Sequence, residues 1–171
     1  MRERHPFDIF VPPETRYLLL GSFTGIIKDL SYDWYYSNGR NHFWPIIEGV
    51  YGTKLPTKSQ KQALLGQLGI AVGDIILSCE RREANNLDIN LVNIEFNTRA
   101  ILAMVQKHSL EKIYFSSRFV EKMFKKNFGE VIDKMGEVEL ITLPSPSPRY
   151  AMMTKAEKIQ RYKELLPKIS S

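Results

Sequence analysis

"RYLLLGSF" (Arg16–Phe23) is the stretch of sequence that decides the fold. It contains a continuous apolar run from Tyr17 to Leu20, which ends in a Gly–Ser turn. A short apolar run without polar alternation is typical of a strand that is buried on both faces of a sheet. The stretch therefore predicts a first strand of this buried kind.

Helices and strands alternate along the rest of the chain. Further strands are predicted in "IAVGDIILS", "KIYFS" and "VELITL". Helices are predicted in "HFWPIIEGVYG", ending near Gly52; from a capping box of Ser59 and Gln62 to Gly69; in "NIEFNTRAILAMVQKH", with Ile94, Ile101, Val105 and His108 on one face; from Ser117 to Phe128; and after Thr154 and Glu157. Such alternation predicts one layered α/β domain, residues 1–171, with a mainly parallel sheet.

Composition limits the function classes. The only cysteine is Cys79, which excludes an internal disulfide and a Cys-rich metal site and favours a buried structural thiol over a nucleophile. His5, His42 and His108 show no metal-ligand spacing, so we expect a metal-free protein. No apolar run approaches the roughly 18 residues of a membrane span, and we expect an intracellular, cytoplasmic protein without a membrane partner. The net charge of +5 suits nucleic acid but equally a solvated surface.

Two unusual loops follow predicted strands. "GSFTG" (residues 21–25) leaves the first strand, and "PSPSPR" (residues 144–149), stiffened by three prolines, leaves the last. Ligands of open parallel sheets bind beyond the carboxyl ends of the strands. We therefore expect the two loops to face one cleft.

Four segments, in this order and on the predicted elements, carry a resemblance to a known family. They are "LLLGSFTG", "YYSNGRNHFWPII", "GIAVGDIILSCERR" and "LPSPSPRYA". With them the chain resembles the uracil-DNA glycosylase superfamily, and most of all its hypoxanthine-DNA glycosylase branch, followed by the mismatch-specific uracil/thymine branch. The resemblance implies a three-layer α/β/α fold around a four-stranded parallel sheet. It also implies a monofunctional glycosylase without a cofactor, which flips a damaged base out of DNA.

The resemblance points to Asn41 as the catalytic residue. In the mismatch-specific branch the first motif supplies an Asn where this chain has Phe23. The second motif opens with an amide, or with a His elsewhere in the superfamily, where this chain has Leu143. Neither apolar side chain can orient water or stabilise charge. The Asn of the "RNxFW" segment in the hypoxanthine branch corresponds to Asn41. An Asn before a predicted helix is, however, also a common N-cap, so a capping role for Asn41 stays open.

Other site residues follow from the same motifs. Tyr36 corresponds to the family's aromatic residue that stacks on the flipped base, although a tyrosine that closes a core is the alternative. Asp74 is a candidate for activating water, or it anchors a loop. The expected base-binding residues are Gly21, Ser22 and Phe23 of the first motif together with Tyr36 of the segment that follows it. The expected DNA-binding residues are Ser145, Ser147 and Arg149 of the second motif.

Two functions from different classes remain open at this point. One is a glycosylase, acting as a monomer on deaminated bases in damaged DNA, with hypoxanthine or a related purine preferred to uracil. The other is a non-catalytic homologue that binds nucleic acid or a free nucleobase. Phe23 and Leu143 favour the second function, whereas Asn41, Tyr36 and the serine-rich second motif favour the first.

Overall fold

A computed structural model describes residues 1–27 and 32–169. The strands in these residues are β1 (Arg2–Arg4), β2 (Tyr17–Gly21), β3 (Ile70–Asp74), β4 (Ile76–Arg81), β5 (Leu91–Phe96), β6 (Lys112–Phe115) and β7 (Glu139–Thr142). The helices are α1 (Phe43–Tyr51), α2 (Lys58–Leu68), α3 (Thr98–Lys107), α4 (Arg118–Asn127), α5 (Gly129–Lys134) and α6 (Lys155–Leu165). A single 3₁₀ turn, Asp88–Asn90, precedes β5.

The central sheet has four strands in the order β3-β2-β6-β7, and all of its pairings are parallel. β2 lies inside the sheet, where Leu19 is in register with Val72 on one side and with Tyr114 on the other. The predicted first strand is thus confirmed, and so is the mainly parallel four-stranded sheet. A strand in this place needs apolar side chains on both faces, which is why β2 reads as a continuous apolar run.

Helices cover both faces of the sheet. Leu18 and Leu20 point to one face and pack with buried side chains of α3, α4 and α5. Leu19 points to the other face and packs with α1, α2 and α6. Each of these leucines is at most 2% exposed, and full burial of such a side chain stabilises the fold by about 1.5–3 kcal/mol. The arrangement confirms the predicted three-layer α/β/α architecture.

A second sheet corrects the prediction of one strand in "IAVGDIILS". β3 ends at Asp74, and β4 then pairs antiparallel with β1 and β5 in a separate three-stranded sheet. Hydrogen bonds from the backbone N–H of Ile75 to the Gly21 carbonyl (2.9 Å) and from that of Ile76 to the Ser22 carbonyl (3.1 Å) fix the turn between the sheets. Because both halves of the run are buried, hydrophobicity gives no sign of the change.

Several predicted helix boundaries also need correction. Ile94 lies on β5 rather than on a helix, and His108 is the extended C-cap residue of α3 rather than part of its apolar face. The capping box of α2 consists of Thr57 and Gln60, not of Ser59 and Gln62, although both pairs have the same spacing. The box of Thr154 and Glu157 at the start of α6 is confirmed. Helix α5, which follows α4 directly, was not predicted.

Cys79 is fully buried, as expected for a structural thiol, and burial raises its pKa. Within the described parts of the chain, no helix is both long enough and apolar enough to cross a membrane.

Candidate active site

A cavity of about 550 Å³ lies at the carboxyl end of the parallel sheet. Its walls come from the Gly21–Gly25 loop after β2, the last residue of β3, the residues that follow β6, and the loop after β7. The 3₁₀ turn before β5 closes one side. The structure therefore brings both unusual loops to one cleft, where ligands of such sheets bind.

Almost all residues selected from the sequence line this cavity. They are Ser22, Phe23, Tyr36, Asn41, Asp74, Ser145, Ser147 and Arg149. Gly21 lies directly behind the wall, where a Cβ atom would come within 2.4 Å of Asp74 Oδ1 and 2.5 Å of the Tyr36 hydroxyl. Leu143 does not reach the cavity, because its side chain is buried in the core between the sheet and the layer of α1, α2 and α6.

Asn41 lines the cavity and also binds the start of α1, although the N-cap residue of that helix is His42. Its side-chain Oδ1 accepts a hydrogen bond of 2.8 Å from the backbone N–H of Phe43, the first residue of α1. That N–H has no partner within the helix, so Asn41 satisfies one of the unpaired donors of the helix start. The side-chain Nδ2 has no hydrogen-bond partner among residues 1–27 and 32–169. The amide is thus held by its oxygen and leaves its two N–H donors free.

Tyr36 forms an aromatic wall of the cavity. One face of its ring stacks on Phe43, with 4.3 Å between the ring centroids and 26° between the planes. Its backbone is left-handed, with φ of 59°, an uncommon conformation for a bulky residue that is held here by the packing around the ring. The hydroxyl is buried without a hydrogen-bond partner in the described residues. Burial raises the pKa of Tyr36 well above its usual value, Asp74 raises it further, and the nearby Ser116 hydroxyl lowers it in part.

Asp74 is paired with His5, a residue near the N-terminus that is 69 positions away in the sequence. Its Oδ2 lies 2.6 Å from His5 Nε2, and both side chains are almost fully buried. His5 Nδ1 accepts a hydrogen bond from the backbone N–H of Phe7, so the ring proton lies on Nε2 and is donated to Asp74. The rings of Phe7, Phe23 and Tyr35 surround the imidazole within 5.8 Å. No spacing in the sequence marks this pair, because the two residues meet only in the folded chain.

Asp88 is a second cavity carboxylate that the sequence did not reveal. It begins the 3₁₀ turn, and its Oδ1 accepts a hydrogen bond of 2.8 Å from the Ser22 hydroxyl. Burial raises the pKa of Asp88, Asp74 raises it further, and Ser22 and Arg81 lower it. No pattern of spacing marks Asp88, because its loop meets the Gly21–Gly25 loop only in the folded chain.

Arg81 braces the cavity from behind instead of facing solvent. Its guanidinium donates to the Glu3 carboxylate (2.7 Å) and to the backbone carbonyls of Thr24 (2.7 Å) and Asn85 (3.1 Å). It also lies over the ring of Phe23 at 5.6 Å. These contacts use most of its donors, so Arg81 connects the Gly21–Gly25 loop with the loop that contains Asn85.

The proline-serine loop is held rigidly from behind by α6. Lys158 Nζ donates to the Ser147 carbonyl (3.1 Å), and the Tyr162 hydroxyl donates to the Pro144 carbonyl (2.6 Å). Lys158 is only 2% exposed, and its burial lowers its pKa. On the cavity side, the hydroxyls of Ser145 and Ser147 accept hydrogen bonds from backbone N–H groups within the loop. Both hydroxyls keep their own protons available for an outside acceptor.

In the described residues, no three His, Cys, Asp or Glu side chains converge to hold a metal ion. A second cavity of about 640 Å³ lies between residues 4–13 and α3. This second cavity is larger, but none of the site residues predicted from the sequence line it. The candidate active site is therefore the first cavity.

Comparisons with known proteins bear on the fold. No protein-family model and no curated protein matches the chain. Among solved structures, it is similar to the solution structure of a candidate uracil DNA glycosylase from Methanosarcina acetivorans, with a TM-score of 0.68 and 24% sequence identity. The match covers 96% of this chain and 99% of the other. The chain therefore has the same α/β/α fold as that protein over almost its whole length.

Proposed function

We propose that this chain is a monofunctional DNA glycosylase of the uracil-DNA glycosylase superfamily that removes deaminated bases from DNA. The observation that carries the proposal is the convergence of Tyr36, Asn41, Asp74 and the two motif loops on one cavity. These residues come from separate segments of the chain, and the family resemblance assigns most of them to one site. The fold shared with a candidate uracil DNA glycosylase supports the proposal further.

The cavity suits a base that has been flipped out of a duplex. Its volume of about 550 Å³ can take a nucleoside-sized group, and the free face of Tyr36 offers a stacking surface. The hydroxyls of Ser145 and Ser147 and the exposed Arg149 line the mouth, where they can bind the phosphates beside the flipped nucleotide. Because Lys158 and Tyr162 hold this loop, little ordering is needed on binding.

The reaction breaks the bond between C1′ of the sugar and the base nitrogen, and a water oxygen takes the place of the base. The bond's electron pair leaves with the base, which gains negative charge while the sugar becomes oxocarbenium-like. The free Nδ2 donors of Asn41 can stabilise that charge, since Oδ1 is already bound to Phe43. The Asp74 carboxylate, oriented by His5, can accept a proton from the attacking water.

The lesion, the partner and the setting are also part of the proposal. Phe23 and Leu143 replace polar residues that the mismatch-specific branch uses, which supports hypoxanthine or a related purine over uracil as the preferred base. We propose damaged DNA, double- or single-stranded, as the substrate of a monomer in the cytoplasm. The steps above need no cofactor.

Single-turnover cleavage tests the proposal. Duplexes carrying one hypoxanthine, xanthine, uracil or mismatched thymine are incubated with excess protein, and abasic sites are read after alkali. We expect release of hypoxanthine at the highest rate. If no lesion yields an abasic site while the duplexes still bind, the protein is instead the non-catalytic homologue.

A substitution that keeps the hydrogen bond to the Phe43 N–H isolates the role of the Asn41 Nδ2 donors. Asn41→Asp retains an oxygen for the Phe43 N–H but loses the Nδ2 donors, so the melting temperature should stay close to that of the wild type. We expect cleavage to slow by about 100- to 1,000-fold, as for loss of one donor to a developing anion. Asn127→Ala on α4, far from the cavity, is the control. Wild-type rates for Asn41→Asp would refute the catalytic role and leave the function standing.

A further inference from the structure

Asp88 is a cavity group for which the proposed mechanism has no use. Its Oδ1 is fixed by the Ser22 hydroxyl at 2.8 Å, and Ser22 is fixed in turn by its own carbonyl, which binds Ile76 N–H. Asp88 Oδ2 has no hydrogen-bond partner within residues 1–27 and 32–169. A carboxylate held by one oxygen in a cavity is a fixed acceptor with a second oxygen to offer.

Deamination creates a group that such an acceptor can recognise. Adenine and cytosine each present an unprotonated ring nitrogen next to their amino group, and this nitrogen is a hydrogen-bond acceptor. Their deaminated products, hypoxanthine and uracil, carry a proton on the same nitrogen and a carbonyl beside it. A carboxylate accepts a hydrogen bond from the product but faces the lone pair of the parent base, which repels it.

We propose that Asp88 is the specificity residue of the cavity and distinguishes deaminated bases from adenine and cytosine by accepting a hydrogen bond from their ring N–H. The inference rests on the proposed glycosylase function. A binding site that forms a buried hydrogen bond with its ligand discriminates strongly against a ligand that cannot form it, because the buried group of the protein is then left unpaired. Ser22 is the positioning residue, since it aims the carboxylate.

The charges around Asp88 make this recognition dependent on pH. The Asp74 carboxylate disfavours the charged form of Asp88, whereas Arg81 and the Ser22 hydroxyl favour it, and burial leaves its pKa raised. A protonated Asp88 carries an O–H donor, which suits the ring nitrogen of adenine instead. Discrimination should therefore weaken as the pH falls through the pKa of Asp88.

Binding of uncleavable duplexes tests the inference apart from catalysis. Each duplex carries 2′-fluoro-deoxyinosine or 2′-fluoro-deoxyadenosine opposite an abasic analogue, so that neither base has a pairing partner to lose. Fluorescence anisotropy gives the two dissociation constants for the wild type and for Asp88→Asn, whose amide can turn to bind either base. Asp133→Asn, exposed on α5, changes the net charge equally and serves as the control.

We expect the wild type and Asp133→Asn to bind the hypoxanthine duplex about 10- to 100-fold more tightly, the range for a hydrogen bond to a charged group. Asp88→Asn should lose this preference, and so should the wild type at low pH. Ser22→Ala should reduce it if Asp88→Asn does not fold. An unchanged preference in Asp88→Asn would overturn the inference. Cleavage of ordinary deoxyinosine by the wild type, measured in parallel, separates the two hypotheses. If the preference is unchanged but the wild type cleaves deoxyinosine, only the inference about Asp88 is wrong. If the wild type cleaves no lesion, the proposed glycosylase function is wrong as well.

Discussion

Gly21→Ala should disable the proposed site while leaving the fold intact. The added Cβ would lie 2.4 Å from Asp74 Oδ1 and 2.5 Å from the Tyr36 hydroxyl, whereas ordinary contact begins near 3.4 Å. Each side chain must therefore move by about 1 Å, and neither moves freely, since His5 holds Asp74 and Phe43 stacks on Tyr36. Overpacking of this kind costs about 1–3 kcal/mol of stability. A displacement of about 1 Å at reacting groups costs about 100-fold in rate.

The assay is single-turnover release of hypoxanthine, with thermal unfolding measured on the same samples. Gly66→Ala is the matched control, because it makes the same change on the exposed face of α2, where no neighbour lies within 4 Å of the new Cβ. It should leave the rate unchanged and raise stability by about 0.5–1 kcal/mol. A Gly21→Ala protein that cleaves at the wild-type rate would refute the assignment of Asp74 and Tyr36 to the reacting geometry.

Three further substitutions follow from the buried polar groups. Tyr36→Phe deletes a buried hydroxyl that has no hydrogen-bond partner among the described residues, so the free energy of unfolding should rise by about 1 kcal/mol in urea titration; a fall would show that the hydroxyl is satisfied, for example by the nearby Ser116 hydroxyl. Lys158→Met should weaken duplex binding, measured by anisotropy, because the Ser147 carbonyl loses its hydrogen bond. Burial lowers the pKa of Lys158, so the stability of the wild type relative to this variant should rise as the pH approaches 10.5. Because the pKa of Asp88 is raised, the folded state keeps the carboxyl proton to a higher pH than the unfolded state does. The wild type should therefore lose stability as the pH rises from 3.8 through that pKa, whereas Asp88→Asn should not. Parallel pH profiles of the two proteins in thermal melts would contradict this prediction.

The central sheet could be predicted because its determinants are local. β2 is an uninterrupted apolar run. The capping box of Thr154 and Glu157 marks the start of α6 through residue types at a fixed spacing, without help from distant residues. The second sheet could not be predicted in the same way. β1 has the sequence Arg-Glu-Arg, without an apolar pattern, and becomes a strand only because β4 offers it backbone partners. Tertiary pairing decides such segments more than propensity does.

The candidate site divides along the same line. Asn41 and the proline-serine loop could be selected because they belong to contiguous motifs, and the structure places both at the cavity. His5 and Asp88 could not, because each acquires its meaning from a contact with a distant part of the chain. For Asn41 the two predicted roles are compatible, since its Oδ1 binds the first N–H of α1 while its Nδ2 has no hydrogen-bond partner in the described part of the chain.

The pairing of His5 with Asp74 has a consequence for how the protein assembles. The two residues are 69 positions apart, and His5 reaches Asp74 through β1, which docks on β4 only after the chain has turned out of the parallel sheet. Loop closure over such a span is slow compared with the formation of helices and neighbouring strands. The cavity walls depend on contacts of the same kind, since the pairing of β2 with β6 joins Tyr17 and Lys112 across an even longer stretch of chain. Recovery of the helices and recovery of a competent site should therefore be separate events in refolding, because the site needs several contacts between distant parts of the chain.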